Sequence, residues 1–232
     1  MMAQVRRAKH LLPACPGIEG AKVRLQRDHC TPADPAPAIL TTKDQVRFID
    51  IPTPFRQIRD APEYRFDDMR RNDIVIDIGA NVGAFALRAA RISPHVVAVE
   101  PVCAAILREN IRLNRAAVRV IERALGDGRP REITWDSCRR VMPTCTLGRI
   151  IRVAGCCDFL KCDCEGAEWQ IDPADLAGVR RIEMELHIPP ISGPPDMRLL
   201  DAITRDYDWE IAREPCHGPL GVMGILHARR RT

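Results

Sequence analysis

The run Asp73-Ile-Val-Ile-Asp-Ile-Gly-Ala-Asn-Val-Gly-Ala-Phe-Ala-Leu87 limits the choice of fold more than any other part of the chain. Ile74 to Asp77 is a short β-branched strand of the kind found where a sheet is covered on both faces. Gly79 to Gly83 forms a glycine turn. The residues after it, up to Ile92, have helical spacing, with Phe85, Leu87 and Ala89-Ala90 apolar. Strand, tight turn and helix in that order make half of a βαβ unit, and a parallel sheet is the architecture that accepts it.

The alternation continues downstream. His95–Glu100 is expected as the second strand, with a helix opening at Pro101 and running to about Asn114, since proline suits a first helical turn. Val118–Leu125 follows as the third strand, Arg131–Trp135 as a short edge strand and Thr146–Ala154 as a helix. Asp158–Cys164, a short helix at Asp172–Leu176 and Arg181–His187 come next, followed by a helix at Asp196–Tyr207 and a terminal antiparallel pair, Trp209–Arg213 with Val222–Ala228. The expected fold is α/β: a Rossmann-like, doubly wound, mostly parallel sheet with a C-terminal antiparallel strand pair. Residues 59–232 are assigned to this domain. Residues 1–58, with the proline-rich Thr31–Pro37 and short strands at Lys22–Gln26 and Gln45–Ile51, are read as a partly irregular extension or cap.

Composition excludes several classes. Lys and Arg number 35 against 31 Asp and Glu, a formal net charge of +4, and only 4% of residues are aromatic. This is a poor nucleic-acid surface, and the compact basic run Arg229–Arg231 is read as a solvated tail. No window reaches the ~18–20 apolar residues of a membrane span, and Leu11-Leu12 is stopped at once by Pro13, so a cytoplasmic protein is expected. Among the 10 cysteines, Cys156-Cys157, Cys162 and Cys164 lie close together, yet none of these forms Cys-x-x-Cys with another. They are read as structural thiols in a reducing compartment.

In a doubly wound sheet, ligands bind beyond the carboxyl ends of the strands where the strand order reverses, which points to the turn after the first strand. Gly79 and Gly83 bracket Ala80-Asn81-Val82, giving Gly-x-x-x-Gly. The dinucleotide fingerprint needs a glycine where Asn81 stands, so that a pyrophosphate can approach the helix start. Asp77 adds an anion that repels a pyrophosphate but suits ammonium and sulfonium groups. Glu100, at the tip of the second strand, can accept ribose hydroxyls. Asp127, in Ala124-Leu-Gly-Asp127, has two readings: acceptor of an adenine amine, or an ordinary turn aspartate. A second motif, Asp158-Phe-Leu-Lys-Cys-Asp-Cys-Glu-Gly-Ala-Glu168, gathers Lys161, Asp163, Glu165 and Glu168 at the end of the fourth strand. Such a group is costly unless paired or used.

Taken in order, Asp77-Ile-Gly-Ala-Asn-Val-Gly83, Glu100-Pro101, Ala124-Leu-Gly-Asp127, Phe159–Glu168 and Ile182-Glu-Met-Glu-Leu-His187 resemble the motifs of the FkbM-type methyltransferase family over residues 60 to 190. The resemblance implies a class I methyltransferase fold and S-adenosylmethionine as cofactor, usually with a hydroxyl oxygen as acceptor on a small molecule, sugar or glycan. It further implies that Asp77, Gly79, Asn81, Gly83 and Glu100 line the cofactor, with Asp163 and Glu165 near the methyl group. Cys162 and Cys164 stand where that family commonly has aliphatic residues, and Gly148 replaces the acid of its Thr-Leu-Asp element.

Methyl transfer to a hydroxyl needs alignment and a base within hydrogen-bond reach. The candidates are Asp163, Glu165, Glu185 and His187, with Glu165 and His187 favoured and His187 also readable as the residue that holds the Pro189-Pro190 turn. Oxygen-rich ligands around Asp163 would suit magnesium or calcium, but the spacing does not demand a metal and none is assigned. Three alternatives compete. RNA methylation lacks the asparagine before Pro189-Pro190, a non-catalytic adenosine-binding module leaves Asp163 and Glu165 idle, and a nicotinamide oxidoreductase conflicts with the glycine spacing.

Overall fold

The computed structural model describes residues 38–50, 61–135, 138–188, 194–212 and 221–232. The expected strand at Lys22–Gln26 and the proline-rich piece lie outside the described residues. In chain order the strands and helices are β1 (Ile39–Thr41), β2 (Arg47–Ile49), β3 (Val75–Ile78), α1 (Ala84–Ile92), β4 (Val96–Val99), α2 (Ala104–Asn114) and β5 (Val118–Ile121). Then follow β6 (Ala124–Leu125), β7 (Arg131–Trp135), β8 (Cys138–Met142), β9 (Thr144–Cys145), α3 (Leu147–Ala154) and β10 (Phe159–Cys162). The last are β11 (Arg181–Ile188), α4 (Met197–Asp206), β12 (Tyr207–Ile211) and β13 (Gly221–Arg230).

Seven strands form one sheet in the order β12-β13-β11-β10-β3-β4-β5. The pairs among β11, β10, β3, β4 and β5 are parallel, whereas β13 runs antiparallel to both β11 and β12. The chain winds outward from β3 to β5, then returns to lay β10 on the other side of β3, which makes the β3/β10 junction the reversal point. This is the expected doubly wound architecture with its C-terminal antiparallel pair, and the strand order is that of class I methyltransferases.

Strand alternation sorts the core into two layers. Ile76, Ile78, Val97, Val99, Leu160, Cys162, Ile182 and Met184 face α3 and α4, where Leu147, Ile150, Leu199 and Ile203 meet them. Val75, Val96, Ala98 and Phe159 face α1 and α2, against Phe85, Leu87 and Leu107. Both faces are therefore covered, and β4 reads as a continuous apolar run for that reason, as does β3 apart from Asp77. Burying each such Val, Leu or Phe contributes about 1.5–3 kcal/mol.

Helix ends differ from expectation for local reasons. The α2 helix begins at Ala104 rather than at Pro101, because the Val102 and Cys103 amides donate to the Glu100 carboxylate. Thr146 and Asp196 stand just before α3 and α4, and their side chains accept from the Arg149 and Arg198 amides as N-caps. The expected third strand divides, since Ala124–Leu125 leaves the main sheet to pair with Thr144–Cys145. The β1–β2 hairpin docks on α2, where the Arg47 and Ile49 amides donate to Asn114 and Asn110. Asn110 in turn donates to the Val82 carbonyl in the glycine turn.

Candidate active site

The glycine turn is set by close approach. Gly79 has φ +72°, and a Cβ there would lie 1.7 Å from the Asp163 carbonyl oxygen. Gly83 has φ +99° and its Cβ would meet the Leu107 side chain at 2.7 Å. At Gly79 any side chain would have to displace the backbone of the neighbouring segment, whereas at Gly83 the Leu107 side-chain tip could give way and the positive φ is what favours glycine. Asn81 and Glu165 also take left-handed backbone conformations, at φ 49° and 57°. In residues with a side chain this costs energy and gathers at ligand sites.

A cleft of about 380 Å³ opens over this turn, lined among others by Gly79, Asn81, Glu100, Asp163, Glu165 and Gln170. Glu100 is buried, and its carboxylate accepts from the amides of Asn81 (2.8 Å), Val102 (2.7 Å) and Cys103 (2.9 Å). A carboxylate offers about four lone-pair directions, so one acceptor site remains for a ligand. Burial raises the Glu100 pKa, against the pull of those amides. The Asn81 Oδ1 and Gln170 Oε1 atoms are buried with no hydrogen-bond partner among the described residues.

Asp77 is not among the residues lining the cleft. Fully buried behind the turn, it stands 3.1 Å from the Lys161 Nζ, its neighbour across the β3/β10 register. Burial raises the Asp77 pKa while the lysine charge opposes that rise. On Lys161 burial acts downward, but the Asp77 and Asp163 charges outweigh it and keep the ammonium protonated. Lys161 also donates to the Gly79 carbonyl at 2.8 Å, so the pair pins the turn from beneath. Ala80 and Gly83 shape the turn without lining the cleft, and the Asp127 carboxylate accepts from its own turn at Arg129 and pairs with Arg131.

Asp163, Glu165, Glu185 and His187 come together at the carboxyl end of β10 and β11. The His187 Nε2 lies 3.5 Å from Glu165, 3.9 Å from Glu185 and 4.0 Å from Asp163. Glu168 holds the ring from behind, accepting from the His187 amide at 2.6 Å and contacting Nδ1 at 3.2 Å. The Trp169 indole donates to the His187 carbonyl at 2.7 Å. Burial lowers the His187 pKa, but the hydrogen bond and charge of Glu168, with Asp163 and Glu165, lift it to about 9. Burial also raises Glu165, with the His187 charge opposing. The Glu165 carboxylate lines the cleft, where an acceptor hydroxyl can reach it, whereas the His187 ring does not line it and is held from behind by Glu168.

Tyr64 and the cleft-lining Gln170 went unseen in the sequence. The Tyr64 hydroxyl donates to Asp163 Oδ2 at 2.9 Å, and its ring packs edge-on against Phe85 with centroids 5.8 Å apart. Tyr64 precedes the periodic part of the chain, and nothing in its surroundings marks it. Glu183, two residues before Glu185 on β11, meets Arg181 and, through Oε2, the His227 Nδ1 at 2.7 Å.

No family model and no curated protein matches the chain. Among solved structures it is similar to TYW2 of M. jannaschii in complex with AdoMet, at 16% identity over 88% of this chain and 90% of that one, TM-score 0.45. It is also similar to an O-methyltransferase from Bacillus cereus in complex with SAH, at 19% identity over 68% and 73%, TM-score 0.42. A third is a precorrin-6y C5,15-methyltransferase from Geobacter metallireducens, at 13% identity over 71% and 83%, TM-score 0.44. The fold assignment rests on the strand order itself.

Proposed function

We propose that this chain is an S-adenosylmethionine-dependent methyltransferase of the FkbM type, transferring the methyl group to a hydroxyl of a small molecule, sugar or glycan. One observation carries the reading: at the reversal point of the sheet the cleft presents acceptors. The unpaired Asn81 Oδ1 and Gln170 Oε1 join the carboxylates of Glu100, Asp163 and Glu165 around a turn where Gly79 has no room for a Cβ. A pyrophosphate, itself all acceptor, meets these oxygens unfavourably at the turn, although Arg123 and Arg131 also line the cleft. A ligand with ammonium, sulfonium and ribose hydroxyls matches it. Gly79, Asn81, Glu100 and Asp163 are assigned to the cofactor, with Asp77 acting through Lys161 on the turn.

In this reading the acceptor hydroxyl loses its proton to Glu165 as the oxygen takes the methyl carbon and the sulfonium leaves as a neutral thioether. General-base help of this kind contributes typically 10²–10⁴-fold. Calorimetry of the intact chain with S-adenosylmethionine, its demethylated product and NAD tests the cofactor, and NAD binding with no response to the other two defeats the proposal. Glu165→Gln is expected to keep cofactor affinity while turnover falls at least about 100-fold. Unchanged turnover would remove Glu165 from its role.

A further inference from the structure

Asp163, Glu185 and His187 each offer one ligand atom, and these atoms all lie within 4.8 Å of one another. Two donors at roughly 2.1 Å from a common ion stand about 3–4.2 Å apart, so the observed gaps of 3.9 and 4.0 Å from Nε2 to Glu185 and Asp163 already fit. Glu165 Oε2, at 3.5 Å from Nε2, stands at the same opening.

Clustered acids alone prove little, and the independent sign is the histidine. Its residue is 3% exposed. Glu168 engages its Nδ1 and its amide, and Nε2 faces the carboxylates of Glu165, Glu185 and Asp163 at 3.5, 3.9 and 4.0 Å. A carboxylate behind Nδ1 that leaves Nε2 facing acidic oxygens is the arrangement found around metal-ligating histidines. Asp163 is oriented in the same way: Oδ2 accepts from Tyr64, and Oδ1 is left toward His187. The lysine that would otherwise neutralise Asp163 stands 3.8 Å away and is engaged with Asp77 at 3.1 Å.

We propose that Asp163, Glu185 and His187 bind a divalent cation, with Glu165 at its open side and Glu168 and Tyr64 as positioning residues. One imidazole with carboxylates suits a first-row ion such as Mn²⁺, whereas all-oxygen sites favour Mg²⁺ or Ca²⁺. Asp163 and Glu165 also line the cleft, so the ion lies in its wall. The site stands on its own geometry and does not depend on methyl transfer.

Mn²⁺ titration of the intact chain, followed by loss of the free-ion electron paramagnetic resonance signal, tests this. Calorimetry with S-adenosylmethionine is run on the same samples. One ion per chain is expected to bind. Glu185→Gln and His187→Gln should each weaken binding at least about 10-fold, and Glu168→Gln by about 10–100-fold, with thermal melts confirming that each variant folds. No stoichiometric binding up to the order of 1 mM, a range typical of weak cation sites, overturns the proposal. So does Mn²⁺ binding that survives both Glu185→Gln and His187→Gln, since the ion is then held elsewhere. A chain that takes Mn²⁺ but not S-adenosylmethionine keeps the cation site and loses the methyltransferase reading.

Discussion

Gly79 shows how far single residues decide this site. Its φ of +72° and the 1.7 Å separation between a would-be Cβ and the Asp163 carbonyl oxygen leave alanine nowhere to go without parting β3 from β10. Gly79→Ala is expected to cost more than the ~1–3 kcal/mol of the backbone conformation alone, read by urea denaturation, and to abolish cofactor binding in calorimetry. Near-native stability would mean the turn is slack. Gly148 is a similar case. It departs from the Thr-Leu-Asp element of the family that the motifs resemble, yet its amide donates to Asp175 at 2.7 Å, and a Cβ there would lie 2.3 Å from Asp175 Oδ1. An acid is thus present at that spot, supplied from a later turn of the chain. Asp77 marks where sequence reasoning stops at this scale. Its charge was legible, but its direction was not, because the partner Lys161 lies 84 residues away and is brought alongside only by strand register.

Among the elements, α2 does more than cover the sheet. Asn110 is fully buried and bonds the β2 backbone on one side and the Val82 carbonyl on the other. Asn110→Ala leaves the Ile49 amide and the Val82 carbonyl unpaired, at about 1–3 kcal/mol each. A total stability loss of about 2–6 kcal/mol is expected in denaturant melts, and a loss below about 0.5 kcal/mol, the size of ordinary surface changes, would show that water takes over both bonds. The β-branched runs of β3 and β4 and the apolar stripes of α1 and α2 were legible because burial on both faces leaves a plain record. Helix starts were less so. Pro101 resembles a first helical residue, but the Glu100 carboxylate captures the next two amides and delays α2 to Ala104. The β6–β9 pairing escaped notice for a different reason: two-residue strands are too short to carry a period.

For the molecule as a whole, buried thiols tie stability to alkaline pH. Burial, helped by the Glu100 charge, pushes Cys103 from its ordinary 9.0 up to about 12. The folded state therefore keeps a proton that the unfolded chain releases above pH 9. Stability from this source is whole below pH 9 and is lost as pH rises from 9 to about 12. Cys103→Ala should flatten the fall of melting temperature over that interval relative to the parent chain, and parallel profiles would show that the thiol is not coupled to folding. Among the described residues no helix is long and apolar enough to cross a membrane. The place of β13, between β11 and β12, also bears on synthesis. This strand follows every other described strand in the chain, so translation delivers it last. At roughly 5–20 residues per second, the nascent sheet spends on the order of seconds with β11 as a bare edge, its Glu183 still waiting for His227, and it is then most exposed to pairing with a neighbouring chain.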